Sequence, residues 1–295
     1  MAGTVTLLIE PLPADATVPD LDATFREVDA SAPALRVGEL STQRGDGIFE
    51  TIGVVDGHAQ EARPHLERLR NSARICELPE PNLPQWEAAI ARAVASLPQH
   101  GEFALKLVLS RGVERGPAPT AWLHASPAAD FSAARERGIR VVTLDRGYAR
   151  GTAERAPWLL LGAKTLSYAV NMAALREARR RGADDTIFTT SDGYVMEGPT
   201  STVIIRRGDA YATPAPSGAI LHGTTQRSLF EHLEASGRRT EYRDIPIADL
   251  GAADAAWLVS SVRLAAGVTE VDGRPMPYDA DETRELNAYL LSPRD

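Results

Sequence analysis

Two apolar runs open the chain, Thr4 to Glu10 and Gly47 to Val55, and both read as strands; the second closes on the turn residues Asp56-Gly57. The period then changes. With Pro64 in its first turn, the following segment sets Leu66, Leu69, Ala73 and Cys76 three and four residues apart, which predicts an amphipathic helix. A second helix is predicted from Gln85 to Leu97, bounded by Pro84 and Pro98. Phe103 to Ser110 and Thr120 to Ser126 read as strands flanking the Gly- and Pro-rich loop Arg111 to Pro119. The polar stretch Asp130 to Gly138 leads into another strand, Ile139 to Leu144, and is the expected boundary between a small N-terminal domain, 1–128, and a larger C-terminal domain, 129–295.

The second part alternates differently. A helix is expected from about Ser167 to Arg181, ending at Gly182, after the apolar run Trp158 to Leu161. Short strands Thr186 to Thr190 and Tyr194 to Met196 are joined by Ser191-Asp192-Gly193, and Val203 to Arg206 pairs with Ala210 to Thr213 through Gly208-Asp209. A helix over Thr224 to Ala235, a buried strand over Ala256 to Ser260 and a closing helix over Asp281 to Leu291 complete the pattern. Interleaved strands and helices without repeats predict an α/β (α+β) fold.

At 295 residues, 43% hydrophobic and 24% charged, the chain has the composition of a globular protein with a substantial core. Its net charge of −8 and the lack of a basic track argue against a nucleic-acid partner; the densest basic run, Arg179 to Arg181, falls at a helix end that favours cations. Cys76 has no second cysteine to pair with and reads as a small core residue in a reducing compartment. Neither a leader pattern nor a membrane-length apolar run is present, so no membrane partner is expected and the location expected is cytoplasmic. No metal site is expected.

The candidate chemistry is dispersed. Lys164 follows the apolar run Trp158 to Leu161 and precedes a helix, so it is expected to project from a strand end into a cleft, where a desolvated ammonium would lose its proton more readily and attack a carbonyl; alone, such a lysine is more often on the surface. Glu197 opens a turn rich in hydroxyls and backbone donors, Glu-Gly-Pro-Thr-Ser-Thr, and a carboxylate there suits a protonated ring nitrogen or a plain hairpin surface. Gly223-Thr224-Thr225 stands at a helix start, which suits a phosphate and equally suits a cap. Ser260-Ser261 is a second hydroxyl pair, and Arg68 lies on the Pro64 helix among apolar positions.

Taken in order, Arg44 to Thr51 (RGDGIFET), His65 to Leu69 (HLERL), Lys164 to Tyr168 (KTLSY), Asp192 to Gly198 (DGYVMEG), Gly223 to Thr225 and Val271 to Arg274 make the chain resemble the class IV aminotransferases, the fold-type IV pyridoxal-phosphate enzymes. That family includes branched-chain and D-amino-acid aminotransferases and aminodeoxychorismate lyases. The resemblance implies two α/β domains with pyridoxal 5'-phosphate between them, and a homodimer acting on a small-molecule substrate. It makes Lys164 the Schiff-base lysine and proton shuttle, and Glu197 the partner of the pyridine nitrogen. Arg68, Thr225 and Ser261, with the backbone around Thr224 and Val262, would hold the phosphate; Tyr168 would approach the ring hydroxyl, and Ser201 and Thr202 belong to the same cofactor-binding set. Three positions depart from the family pattern: Thr202 and Ser167 each replace an Asn, and Gln226 replaces an Arg.

The strand Leu105 to Ser110 with Lys106, followed by Arg111-Gly112 and Arg115-Gly116, is similar to the lyases, and a basic strand and loop suit a substrate with two carboxylates. Phe49-Glu50-Thr51 is closer to the transaminases, and Arg263 is compatible with either. The expected activity is therefore conversion of 4-amino-4-deoxychorismate to 4-aminobenzoate and pyruvate, in folate biosynthesis, with substrate contacts from Lys106, Arg111, Arg115 and Arg263. The alternatives are an amino-acid transaminase and a non-catalytic pyridoxal-phosphate carrier.

Overall fold

The computed structural model describes residues 3–216 and 218–295. The chain divides into two compact units. The first comprises Met1–Ala129, Ala163–Tyr168 and Pro293–Asp295; the second comprises Asp130–Gly162 and Ala169–Ser292.

The first unit runs β1 (Val5–Ile9), β2 (Phe25–Glu27), α1 (Leu40–Gln43), β3 (Gly47–Val55), β4 (His58–Ala59), α2 (Ala62–Ile75), α3 (Leu83–Ala95), β5 (Glu102–Ser110) and β6 (Thr120–Pro127). The strands form a six-stranded antiparallel sheet in the order β2-β1-β6-β5-β3-β4. Because side chains alternate along a strand, Ile48, Ile52, Leu105, Leu107, Leu109, Leu123 and Leu7 share one face and are all buried. Helices α2 and α3 pack on the sheet and bury Leu66, Leu69, Trp86 and Ile90. Glu50 has the same parity as Ile48 and Ile52, which puts a carboxylate in a core position. Phe49, Thr51, Lys106 and His124 take the opposite parity, with Thr51 opposite Lys106 and Lys106 opposite His124.

The second unit runs α4 (Ser132–Arg137), β7 (Ile139–Asp145), α5 (Thr152–Arg155), α6 (Ala169–Arg180), β8 (Asp185–Thr189), β9 (Thr202–Arg207), β10 (Ala210–Pro214), α7 (Thr224–Ala235), β11 (Arg239–Arg243), α8 (Ile247–Gly251), β12 (Ala255–Ser260), β13 (Leu264–Val271), β14 (Arg274–Pro275) and α9 (Ala280–Leu291). Its eight-stranded sheet has the order β11-β10-β9-β12-β13-β7-β8, with β14 on β13, and mixes parallel and antiparallel pairs. One side of the sheet packs Ile204, Tyr211, Trp257 and Val259 against Leu229, Phe230 and Leu233 of α7 and Leu286 and Leu290 of α9. The buried indole of Trp257 donates to Thr283 Oγ1 at 2.8 Å, so its polar edge is satisfied. The other side packs Val203, Ile205, Leu258, Ala266 and Val268.

Several expectations need correcting. Trp158 to Leu161 is not a strand: Pro157–Leu159 is a 3-10 turn, Leu160 is left-handed, and Trp158 is exposed. Lys164 therefore does not extend a strand of the second unit. It lies in a short extended return, where Thr165 bridges Ile48 of β3, Phe49 N donates to Lys164 O at 3.0 Å and Leu166 N donates to Gly47 O at 2.8 Å. Tyr194 to Met196 forms only isolated bridges, from Val195 to Thr189 and from Tyr194 to Pro246. The helix expected from Ser167 begins at Ala169. Among the described residues no helix is long and apolar enough to cross a membrane.

Candidate active site

The functional candidates fall into one grouping in each unit. In the first, the return segment 163–168 lies tight against the start of β3. A Cβ on Gly47 would stand 2.9 Å from Leu109 O, Ser110 Cα and Leu166 Cδ1, so only glycine admits this approach. The backbone N–H of Lys164 donates to Ser72 Oγ of α2 at 3.1 Å. Its Nζ stands 4.5 Å from the centre of the Phe49 ring and 6.0 Å from that of Tyr168, and the two rings meet edge to face at 5.3 Å. Lys106 Nζ lies 5.0 Å from the same Phe49 ring, and partial desolvation lowers its pKa. Two ammonium groups thus stand near one aromatic ring, whose quadrupole attracts each of them.

Beneath the sheet, Arg68 meets Glu50 in a fork: Nε donates to Oε1 at 2.7 Å and Nη2 to Oε2 at 2.8 Å. His65, one turn earlier on α2, donates from Nδ1 to Glu50 Oε2 at 2.7 Å. Glu50 and His65 are fully buried. Burial alone would raise the Glu50 pKa, but the Arg68 charge and the hydrogen bonds from Arg68 and His65 outweigh it and hold the carboxyl far below its ordinary range. Burial lowers the pKa of His65 despite its contact with Glu50, so its imidazole is neutral.

The loop after β5 is differently organised from expectation. Arg111 donates to Asp46 Oδ2 at 2.8 Å, to Glu77 O at 3.1 Å and to Cys76 O at 2.8 Å. It thereby staples the end of α2 to the loop before β3. Glu39, also buried, accepts from Ser110 Oγ and from Thr120 Oγ1 at 2.7 Å, and the segment 38–40 exchanges backbone bonds with Gly112 and Glu114. Arg115 is exposed at the loop's tip, in a left-handed conformation.

In the second unit, β12 ends beside the start of α7. Thr225 Oγ1 lies 3.2 Å and Thr224 Oγ1 3.5 Å from Ser261 Oγ, which gathers three hydroxyls at the start of α7, where the cap residue Gly223 brings no side-chain acceptor. A Cβ on the preceding Gly223 would lie 2.3 Å from Thr202 Oγ1, which explains the glycine. Arg135 of α4 donates to Arg263 O at 2.9 Å and to Val262 O at 2.8 Å. Since a trans peptide points its N–H opposite to its C=O, the amides of Arg263 and Leu264 are turned away from Arg135. Leu264 is held at a φ of 66°, a costly backbone for a branched residue. Glu197 Oε2 accepts from Leu221 N at 3.2 Å, and Ser201 Oγ is buried without a partner.

Arg263, expected to contact substrate, is engaged through one nitrogen, while its Nε and Nη2 are buried without a partner. The side chain is 13% exposed and its Nη1 donates to buried Asp185 at 2.6 Å, because an arginine this deep must be paired. Of the three positions that depart from the family pattern, Gln226 is buried and donates to Tyr242 Oη at 3.0 Å, Ser167 donates to Gly45 O at 3.3 Å, and Thr202 fills the space over Gly223. Among the described residues no cluster could hold a metal ion. An anionic tail fits the three hydroxyls gathered at the start of α7, where the helix dipole also favours negative charge. Sequence reasoning missed the Glu50–His65 pairing, Ser72 and Arg135. The hint available was a carboxylate at an apolar parity in β3 with His and Arg three apart on the next helix.

A family model described as amino-transferase class IV matches residues 47–271. Among curated proteins, a bifunctional aminodeoxychorismate lyase / D-amino acid transaminase of Mycobacterium tuberculosis is 49% identical over 83% of this chain and 88% of its own length. Among solved structures, a fold IV-transaminase from Curtobacterium pusillum superposes with a TM-score of 0.92 at 48% identity, over 98% of this chain and 97% of that one. A hypothetical aminotransferase from Mycobacterium tuberculosis in its PLP-bound form gives 0.87 at 43% identity, over 97% and 98%. This chain belongs to the class IV aminotransferases, the fold-type IV enzymes that work with pyridoxal 5'-phosphate.

Proposed function

We propose that the protein converts 4-amino-4-deoxychorismate to 4-aminobenzoate and pyruvate, and that the same residues transaminate D-amino acids. The carrying observation is that Lys164 and Lys106 both stand over the Phe49 ring. One ammonium serves the cofactor and the other anchors a substrate carboxylate. A relative supports both activities, since the 49% identical M. tuberculosis protein is named for the two together.

Bound pyridoxal 5'-phosphate supplies an electron sink for the carbon that bears the substrate's amine. In this reading Lys164 carries the cofactor and, once freed by the incoming amine, takes the proton from that carbon. Glu197 keeps a proton on the ring nitrogen. Thr224, Thr225 and Ser261, with the backbone near Val262 and with Arg68, would hold the phosphate; Ser201 and Thr202 would belong to the same set, and Tyr168 would approach the ring hydroxyl. Lys106 would hold one carboxylate and Arg115 the second. Arg111 supports the loop rather than the substrate, given its three local acceptors.

For the lyase reaction, the bond between ring carbon and ether oxygen breaks, the enolpyruvyl group leaves and takes up a proton as pyruvate, and loss of the ring proton to Lys164 makes the ring aromatic. In transamination Lys164 would be the group that moves the proton, with no bond to the substrate's ring or side chain broken. The reading includes a cytoplasmic homodimer acting in folate biosynthesis. It is tested by offering purified protein aminodeoxychorismate and a panel of D- and L-amino acids. Equal yields of 4-aminobenzoate and pyruvate, with turnover of D-alanine, are expected. Rapid turnover of branched-chain L-amino acids without any 4-aminobenzoate would replace it with a branched-chain transaminase.

A further inference from the structure

A carboxylate between Ile48 and Ile52 is in the wrong place for solubility alone. Both neighbours are fully buried, and so is Glu50. Desolvating a carboxylate is costly unless charge and hydrogen bonds replace water, and a hydrophobic residue would fill the position more cheaply. What the carboxylate gains is a grip on Arg68. Both of its oxygens are engaged by the guanidinium at 2.7 and 2.8 Å, and His65 donates to Oε2 from the same helix at 2.7 Å. Leu66 and Leu69, fully buried between and beside these two residues, fix the rotation of α2 that brings both onto Glu50. The return segment that carries Lys164 is tied to the same elements: Phe49, next to Glu50, donates to Lys164 O, and Ser72, one turn beyond Arg68, accepts from Lys164 N.

We infer that Glu50, oriented by His65, is a positioning residue that fixes the guanidinium of Arg68 for the cofactor's phosphate. The inference rests on the reading of Arg68 as a phosphate ligand. Arginine has many rotamers, and a fork held through Nε and Nη2 removes most of that freedom before any ligand arrives. Charge pulls the other way: Glu50 neutralises Arg68, so removing its charge would strengthen attraction to a phosphate if Arg68 kept its place. The two effects have opposite signs. A glutamine at position 50 offers one acceptor and turns an NH2 group toward the remaining guanidinium N–H groups, so Arg68 should leave the site for water.

The test compares dissociation constants of pyridoxal 5'-phosphate and of pyridoxal, which lacks the phosphate, for the full-length protein stripped of cofactor. In Glu50→Gln the preference for the phosphorylated form should fall about tenfold, the scale of restoring freedom to one long side chain. His65→Leu should lose part of the preference, and His65→Asn, which keeps a donor, should retain it. Arg68→Ala is the reference: collapse of the preference there confirms its role. If it collapses there but is unchanged or raised in both Glu50→Gln and His65→Leu, Glu50 does not position Arg68. If Arg68→Ala itself leaves the preference intact, the phosphate reading of Arg68 has failed instead. Equal weakening of both ligands in the Glu50 and His65 variants marks a purely structural ion pair and overturns the inference; His65→Leu keeps the test decisive should Glu50→Gln fail to fold.

Discussion

The two groupings of candidate residues are built on opposite electrostatic plans. The first unit works with full charges: Lys164 and Lys106 over one ring, and a buried Glu50–Arg68 pair with His65 beneath. The second unit gathers neutral donors, three hydroxyls at a helix start, and keeps its charged side chains, Arg135 and Arg263, on backbone carbonyls and on Asp185. Charges held in low dielectric are worth more and fail harder when one partner is removed, whereas neutral hydrogen bonds contribute roughly 0.5–1.5 kcal/mol each and substitute for one another. Among the groups read as holding the phosphate, the charged one of the first unit should therefore be brittle and the neutral hydroxyls of the second tolerant.

The largest effect is expected at Lys164. Lys164→Ala should abolish steady-state turnover while leaving the fold intact, because the side chain is engaged with rings rather than packed in the core; circular dichroism alongside an activity assay checks both halves. Glu197→Gln should cut turnover about a hundredfold or more with cofactor still bound, as expected for removal of one well-placed acid–base group. Wild-type turnover in that variant would reduce Glu197 to a turn carboxylate holding Leu221 N.

Next comes the contrast itself. Arg68→Ala should lower cofactor affinity by one to two powers of ten, about 1.5–3 kcal/mol for a charge-assisted contact, and should also destabilise the protein by stranding Glu50. Ser261→Ala or Thr225→Ala should each cost about tenfold or less, near 1 kcal/mol. Equilibrium titration of the three variants decides it, and a hydroxyl variant weaker than Arg68→Ala would reverse the comparison.

The smallest effect is on pH. The folded pKa of His65 lies below its ordinary 6.5, through burial, so the unfolded chain binds a proton here that the folded chain does not. Stability should accordingly fall as pH drops below 6.5, by at most about 1.4 kcal/mol per pH unit from this residue. Glu50 acts in the same direction below its ordinary 4.5, since its folded pKa is also lowered. Denaturant unfolding of wild type and His65→Asn between pH 5 and 7 isolates the histidine contribution, and parallel profiles would show that His65 is not buried neutral.

Much of this was legible in the sequence. The alternating runs of β3 and β5 and the three- and four-residue spacing of α2 carry their periods openly, since each has one covered face. The Gly-Thr-Thr start of α7 was visible as a candidate anion site, although its juxtaposition with Ser261 depends on how β9 and β12 pair, which no local pattern encodes. Lys164 was found by motif but misplaced on a strand, because the apolar run before it looks like a strand and is a turn with an exposed Trp158. The local partners of Arg111 and Arg263 were not legible, because charge in a sequence carries no partner. In space the first staples α2 and the second is buried on Asp185.

The most direct test is borohydride reduction of the cofactor-loaded protein followed by peptide mapping. The cofactor's mass should be found fixed to Lys164, and Lys164→Ala should retain no label while Lys106→Ala retains it in full. Label on Lys106 in the wild-type protein, or undiminished label in Lys164→Ala, would contradict the assignment of the two lysines.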